Sequence, residues 1–457
     1  MNLNAQQNDR LNWIKIAVIG VMCMAQTFPY YLVNSTVPTL FRAEGLALED
    51  FWAFSIMTIP AWAKFLWAPF VDRYGWVAFG RRKSWILTCT LLGVASLWIL
   101  IFTPPSTETL AVVIAILFVH LLIMSTQDIA VDAYTLENLT EHERGAGSAF
   151  KVFAEAVGEA LALGGLMYIY TRVVFPGTSS GWTSMILAAG CALILFTLPV
   201  LIRREPPMAP ELESRRASGD RPRLSKFFVR PDTPPIIALL LVGGFINFML
   251  PPLIGPLLVD KGFSLLDVGI ILGTVTPVAA PLGAISGGAL ITRIGLRTSL
   301  MVLSSASAIV AVLVVGAVAS GLDVPAWFMP ISETIAGQFQ SWNNGTRVIY
   351  AIAVFIPVVW MIAMTHMVFT VSRMGWASRT QAGTDFTLHG AFYNIGRTLA
   401  VAISPFIAAF FGWAVFTAVL GFLLTGLALA YWIILPGLER VCDRRRISEG
   451  ELLLEPS

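Results

Sequence analysis

Charge is what this sequence is short of. Only 13% of its 457 residues are Asp, Glu, Lys or Arg, where a soluble domain carries about 25%. Apolar residues make up 56% and the mean hydropathy is +0.74. That excludes a water-soluble globule, because most of these side chains need lipid or other helices as their solvent. Cysteine is also scarce: Cys23, Cys89, Cys191 and Cys442 match neither zinc spacing nor a secreted disulfide framework. The first three lie in apolar runs, as small buried thiols do. The four histidines (120, 142, 366 and 389) are scattered without a ligand motif. No metal site, cofactor or enzyme centre is therefore expected. No cleavable signal peptide is evident, and the first apolar run is long enough to span. The net charge of +2 gives no nucleic-acid footprint.

What is there instead is a series of apolar runs, each near the roughly 20 residues that cross a bilayer. They fall at about 13–34, 50–71, 84–102, 109–131, 146–170, 182–202, 235–258, 265–291, 298–319, 347–371, 384–411 and 413–434. The expected fold class is an all-α membrane protein of twelve transmembrane helices in two six-helix bundles. Pro29, Pro60, Pro277, Pro281 and Pro405 lie within spans, which bundles tolerate when neighbouring helices satisfy the freed carbonyls. The polar stretch 203–234, rich in Arg, Pro, Glu and Ser, sits at the midpoint and reads as a linker. The expected organisation is a bundle over 1–202, the linker, a bundle over 235–435 and a tail over 436–457.

With both termini cytoplasmic, 23 of the 30 Lys and Arg fall on that side and four on the other, as the positive-inside rule requires. A repeat supports duplication of the halves. Ala68–Gly75 ends the second span and Gly288–Gly295 the eighth, matching Arg73 with Arg293 and Gly75 with Gly295 at an offset of 220 residues. Parallel repeats of this kind are a transporter feature.

Asp72-Arg-Tyr-Gly75 followed by Gly80-Arg-Arg-Lys83 resembles the loop motif of the major facilitator superfamily. There an acid, a turn glycine and a basic cluster latch the cytoplasmic helix ends. Asp72, Arg73 and Arg81 are its members here, and an Asp–Arg pair can be made or broken while Gly allows the tight turn. The second copy keeps Arg293 but has Thr292 in place of the Asp, giving a weaker latch. Lys64–Pro69, Gln127–Tyr134 and Glu143–Gly147 together resemble the AmpG-like branch, also called the peptide, acetyl-CoA and drug transporter family. Gly383–Leu388 is similar to siderophore permeases of the RhtX/FptX type. The resemblance implies proton-driven uptake into a bacterial cytoplasm, of muropeptides or of ferric siderophores. Permeases of the AmpG-like branch can carry two further helices, for which 203–234 has no room.

Ionisable residues inside a bilayer cost about 2.5–3.5 kcal/mol at a lipid-exposed helix centre, so they face the interior or water. Asp128 and Asp132 share one face of the fourth span, and Lys151, Glu155 and Glu159 share one face of the fifth. Glu137 lies farther out, in solvent. Lys151 is expected to pair with Asp128 or Asp132, leaving Glu155 and Glu159 less neutralised. A static ion-pair network between the two spans is the competing reading. A desolvated carboxyl is pushed toward its neutral form and can load and release a proton. Glu159, the deepest acid, is the first candidate for coupling and Glu155 the second. Lys64 reads as an inward cation for an anionic solute or one of the acids. Asp385, His389 and Arg397 share one face of the eleventh span. Arg397 is the candidate grip on a carboxylate or phosphate, since its fork stays protonated, and His389 can share proton duty with Asp385. His120 and His366 read as hydrogen-bonded structural residues. Gln26, Tyr30 and Asn34 on the first span, Asn247 on the seventh and Trp360 on the tenth are candidate solute walls.

The expected function is secondary transport of a medium-sized polar or anionic solute coupled to protons, in a bacterial inner membrane. The expected partners are that solute, protons and the lipid bilayer, with the chain acting as a monomer. A membrane-embedded enzyme would need a clustered His, Asp and Glu set or a nucleophile with its base. A channel would need a filter-like loop. The sequence offers neither.

Overall fold

The computed structural model describes residues 12–76, 80–139, 143–174, 180–202, 227–310, 343–377 and 382–448. Every regular element among them is a helix, and nine helices are long and apolar enough to cross a membrane. These are α1 (Trp13–Ala43), α3 (Arg81–Phe102), α4 (Leu110–Asn138), α5 (144–172), α6 (Gly181–Leu201), α7 (Thr233–Asp260), α8 (Leu265–Ile294), α10 (Asn344–Trp376) and a continuous stretch over Ala382–Ser448. Gly412, at φ +79°, breaks that last stretch into α11 (382–411) and α12 (413–448). Two further elements bring the count to twelve. The segment 48–73, α2, is built from short 3₁₀ and α pieces, and α9 (Leu296–Val310) is the described part of the ninth span.

The helices divide into two compact units. Unit 1 comprises Met1–Gly45, Ala63–Asp220 and Ser264–Gly273; unit 2 comprises Leu46–Trp62, Arg221–Phe263 and Thr274–Ser457. The units are therefore not colinear with the halves read from the sequence, since 46–62 clusters with unit 2 and 264–273 with unit 1. The ends of the expected linker and tail also differ. Phe227 and Asp232 are fully buried in unit 2, and α12 continues fourteen residues past the expected span end at 434, to Ser448. The linker residues 203–226 lie outside the described residues.

The core of unit 1 joins Ile16, Ile19, Met22 and Cys23 of α1 to Val71, Ile86, Val131 and Tyr134. Helices α1 and α5 approach closely because Gly20 meets Phe150 and Gly158 meets the Met24 backbone. In unit 2, buried Phe369, Tyr393 and Tyr431 pack together, with ring centroids 5.1 and 6.4 Å from Phe369. Helices α7 and α11 touch backbone to backbone. A Cβ at Gly244 would lie 2.1 Å from the Tyr393 carbonyl, and one at Gly396 the same distance from the Leu241 carbonyl. Small residues at such crossings are how helices in lipid gain close packing. This crossing sets Tyr393 and Arg397 beside Phe248, midway along α7.

Candidate functional site

In unit 1 the polar residues of α1, α2, α4 and α5 converge. Lys64 pairs with Asp128. Lys151 reaches Asp132 at 3.1 Å and Glu155 at 3.8 Å. Gln26 Nε2 donates to the Asp128 carbonyl at 3.3 Å. The side chains of Asp132, Lys151 and Glu155 keep 46, 33 and 37% of their surface open, so this cluster is reachable by water rather than sealed. Glu159 is buried at 5% exposure, one helical turn beyond Glu155. Lys151 thus serves both Asp132 and Glu155, so Glu155 is more neutralised than its sequence position implies.

Two of these side chains, Lys64 and Glu159, sit at an irregularity of their helices. Lys64 opens a 3₁₀ turn, Lys64–Leu66, inside α2. Glu159 precedes a π turn at Leu161–Gly165, which meets a second π turn of α1 at Leu32–Thr36 through a bond from Thr36 Oγ1 to the Ala162 carbonyl (2.7 Å). Such π turns concentrate at functional sites because the extra residue re-aims side chains. Tyr30 contacts Tyr31 edge-on, and Asn34 bonds the Tyr30 carbonyl at 2.8 Å.

At the end of unit 1 where α1 begins lies a second ionic group. Glu137 accepts from Arg81 Nη2 at 3.0 Å and Arg82 Nη2 at 2.9 Å, and Lys15 pairs with Glu143. The expectation of a solvated Glu137 is thus corrected, because two guanidinium groups of α3 fold over it and leave 16% of its side chain open. The Asp72 and Arg73 side chains lie outside those described. Gly75 serves close approach, since a Cβ there would lie 2.7 Å from the Arg81 carbonyl. The left-handed turn belongs to its counterpart Gly295, at φ +80°. Arg293 is exposed.

In unit 2, α7 is interrupted after Asn247 and resumes through a 3₁₀ turn at Pro251–Leu253. Irregular backbone at membrane depth is tolerated where it is buried in protein or lines a cavity, and broken helices hold solutes in many transporters. Arg397, at 6% exposure, lies over the Phe248 ring at 5.0 Å. Phe248 meets Tyr393 edge-on at 5.8 Å. The Tyr393 hydroxyl is bonded by Asn247 and lies 3.3 Å from His366 Nδ1. Trp360 stands apart, donating to Ser286 Oγ at 2.8 Å.

Asp385 and His389 are fully buried and bond toward the other end of α11. Asp385 receives Arg230 Nη1 at 2.5 Å, and His389 Nδ1 lies 3.2 Å from the Arg373 carbonyl. Beside them, Asp232 receives Arg445 Nη1 at 2.5 Å, and Arg445 Nη2 donates to the Trp376 carbonyl at 3.1 Å. The expected single face of Asp385, His389 and Arg397 therefore serves two places: an ionic knot at one end and the aromatic pair deeper in.

The model of the Major Facilitator Superfamily matches residues 19–346, well over half of the chain. The chain belongs to that superfamily. Its sequence is similar to the anhydromuropeptide permease of Escherichia coli K12, 24% identical over 410 residues, covering 88% of this chain and 75% of the permease. Its fold matches a D-xylose–proton symporter at TM-score 0.65 and 15% identity, over 93% of this chain and 98% of the symporter. A peptide transporter solved with sulfate matches at TM-score 0.65 and 12% identity, over 93% and 95%.

This superfamily transporter thus carries several functional candidates that its sequence did not mark. Arg230, Arg373 and Arg445 are among the 23 charges assigned to the cytoplasmic side, yet each is at least largely buried. Tyr393 and Phe248 looked like ordinary apolar-run aromatics. The clue available for Phe248 was the Pro251-Pro252 pair, which cannot continue a regular helix.

Proposed function

We propose that this transporter imports an anionic, muropeptide-class solute in symport with protons, across a bacterial inner membrane with both termini cytoplasmic. It works as two six-helix bundles joined by the polar linker that follows the sixth span. The observation that carries the reading is the partition of charge between the two clusters. Where α2, α4 and α5 converge in unit 1, the acids Asp128, Asp132, Glu155 and Glu159 outnumber Lys64 and Lys151. At the α7 break of unit 2 a permanent cation, Arg397, lies on an aromatic pair. Acids in surplus suit proton loading, because a carboxyl withdrawn from water gains by taking a proton. A fixed guanidinium beside π faces and an amide suits a carboxylate or phosphate. The similarity to an anhydromuropeptide permease over 88% of the chain favours a muropeptide among anionic solutes.

Glu159 is the coupling acid in this reading, being the buried one, with Glu155 in support. The test is uptake of a radiolabelled anhydromuropeptide into vesicles under an imposed inward proton gradient. Wild type accumulates it and loses accumulation when the gradient is collapsed. Glu159→Gln retains downhill exchange without accumulation. Gradient-driven accumulation by Glu159→Gln at the wild-type level defeats the assignment.

A further inference from the structure

Arg373 is 8% exposed near the end of α10. Its Nη2 donates to Thr370 Oγ1 at 3.1 Å, and its guanidinium lies over the rings of Phe386 and Tyr393, each at 5.3 Å. Its Nε is buried and unbonded. No described carboxylate pairs with it. Helix α10 has no acid, Asp385 is held by Arg230, and Asp232 is held by Arg445. Among the described residues, three arginines and two aspartates are thus buried at this end of unit 2, leaving Arg373 without a described counter-ion. Aromatic faces offset only part of the cost of burying a charge, and an uncompensated buried ion is among the most expensive features a protein keeps. The ring beneath Arg373 belongs to Tyr393, the residue whose edge meets the Phe248 ring under Arg397. Beside Tyr393, His366 is exposed and lies 3.3 Å from the hydroxyl.

We propose that Arg373 is a second anion-recognition residue, so that unit 2 reads a solute carrying two anionic groups. Arg397 takes one at the Phe248 ring and Arg373 the other at the Tyr393 ring. The inference rests on the solute being anionic, as proposed above, and narrows its class to dianions such as a sugar–peptide with two free carboxylates. It also gives a reason for a buried arginine with no described carboxylate partner: the solute supplies its counter-ion.

The test uses purified full-length transporter in detergent at constant ionic strength. The probes are straight-chain dicarboxylates from succinate to sebacate and their monoamides, with binding read by tryptophan fluorescence. Wild type binds the best-fitting dicarboxylate about 10-fold or more tighter than its monoamide, as expected when a charge-assisted bond is lost. Arg373→Gln binds the two equally, and Arg373→Lys restores part of the preference. A preference that survives in Arg373→Gln, or no preference at any length in wild type, overturns the proposal. Modification of wild-type Arg373 by phenylglyoxal, followed by mass spectrometry, needs no variant. The best dicarboxylate must slow it, and an unchanged rate also overturns the proposal. Dianion preference in a protein that takes up no anhydromuropeptide keeps this inference and defeats the substrate reading. Normal anhydromuropeptide uptake with no dianion preference does the reverse.

Discussion

Replacing Arg445 with Met tests whether the carboxyl-terminal extension of α12 is part of the fold. Arg445 is 6% exposed and donates to fully buried Asp232 at 2.5 Å and to the Trp376 carbonyl at 3.1 Å. The variant leaves Asp232 with Arg230 at 3.9 Å and the Cys442 thiol at 3.8 Å. Removing one partner of a buried ion pair costs about 3–5 kcal/mol, chiefly because the other charge stays buried. Arg230 recovers part of this by its longer contact, so the expected loss is about 2–4 kcal/mol. The paired change Asp232→Leu with Arg445→Met removes both charges and restores most of the loss, since apolar groups of similar volume replace buried pairs at little cost. The assay is unfolding in mixed micelles by titration with sodium dodecyl sulfate, followed by tryptophan fluorescence. Removal of residues 443–457 must destabilise as much as the single variant. An Arg445→Met protein within about 0.5 kcal/mol of wild type, the range of an ordinary surface change, refutes the clamp.

Two further outcomes follow from unit 1 and from the α7–α11 crossing. Glu137→Gln leaves Arg81 and Arg82 with a neutral acceptor and is expected to lose about 1.5–3 kcal/mol in the same titration; no loss shows that the two bonds are not held in the membrane. Gly244→Ala forces apart backbones that leave 2.1 Å to the new Cβ, at a cost of about 1–3 kcal/mol, and weakens anion binding by moving Tyr393. A stable variant with unchanged dicarboxylate affinity contradicts that placement.

The spans were legible because lipid accepts only long apolar segments whose backbone bonds internally. The boundary between α11 and α12 falls at Gly412, where the reading from sequence divided 384–411 from 413–434. The acids of α4 and α5 were legible for the complementary reason: a charge in an apolar run is costly and stands out. Partner choice was not. Lys151 faces acids one turn away on its own helix and others on α4, and only the packing of α5 against its neighbours decides how it is shared between Asp132 and Glu155. Tyr393 escaped notice because an aromatic in an apolar run reads as packing. Its hydroxyl has value only once Asn247, 146 residues earlier, is brought to it by the α7 break.

The misread arginines have a common cause. Arg230, Arg373 and Arg445 stand at helix ends, where a basic residue is normally credited to the aqueous face, and the positive-inside count takes no notice of burial. Their side chains instead turn back into unit 2, because a guanidinium carries five donors and can reach carboxylates and π faces while its own helix ends. Removing the three from the 23 charges assigned to one side still leaves 20 against four, so the proposed orientation does not depend on them. The same three residues therefore stop being topology signals and become structure. Two are matched to Asp232 and Asp385, and the third, Arg373, is the one whose balance must come from the solute.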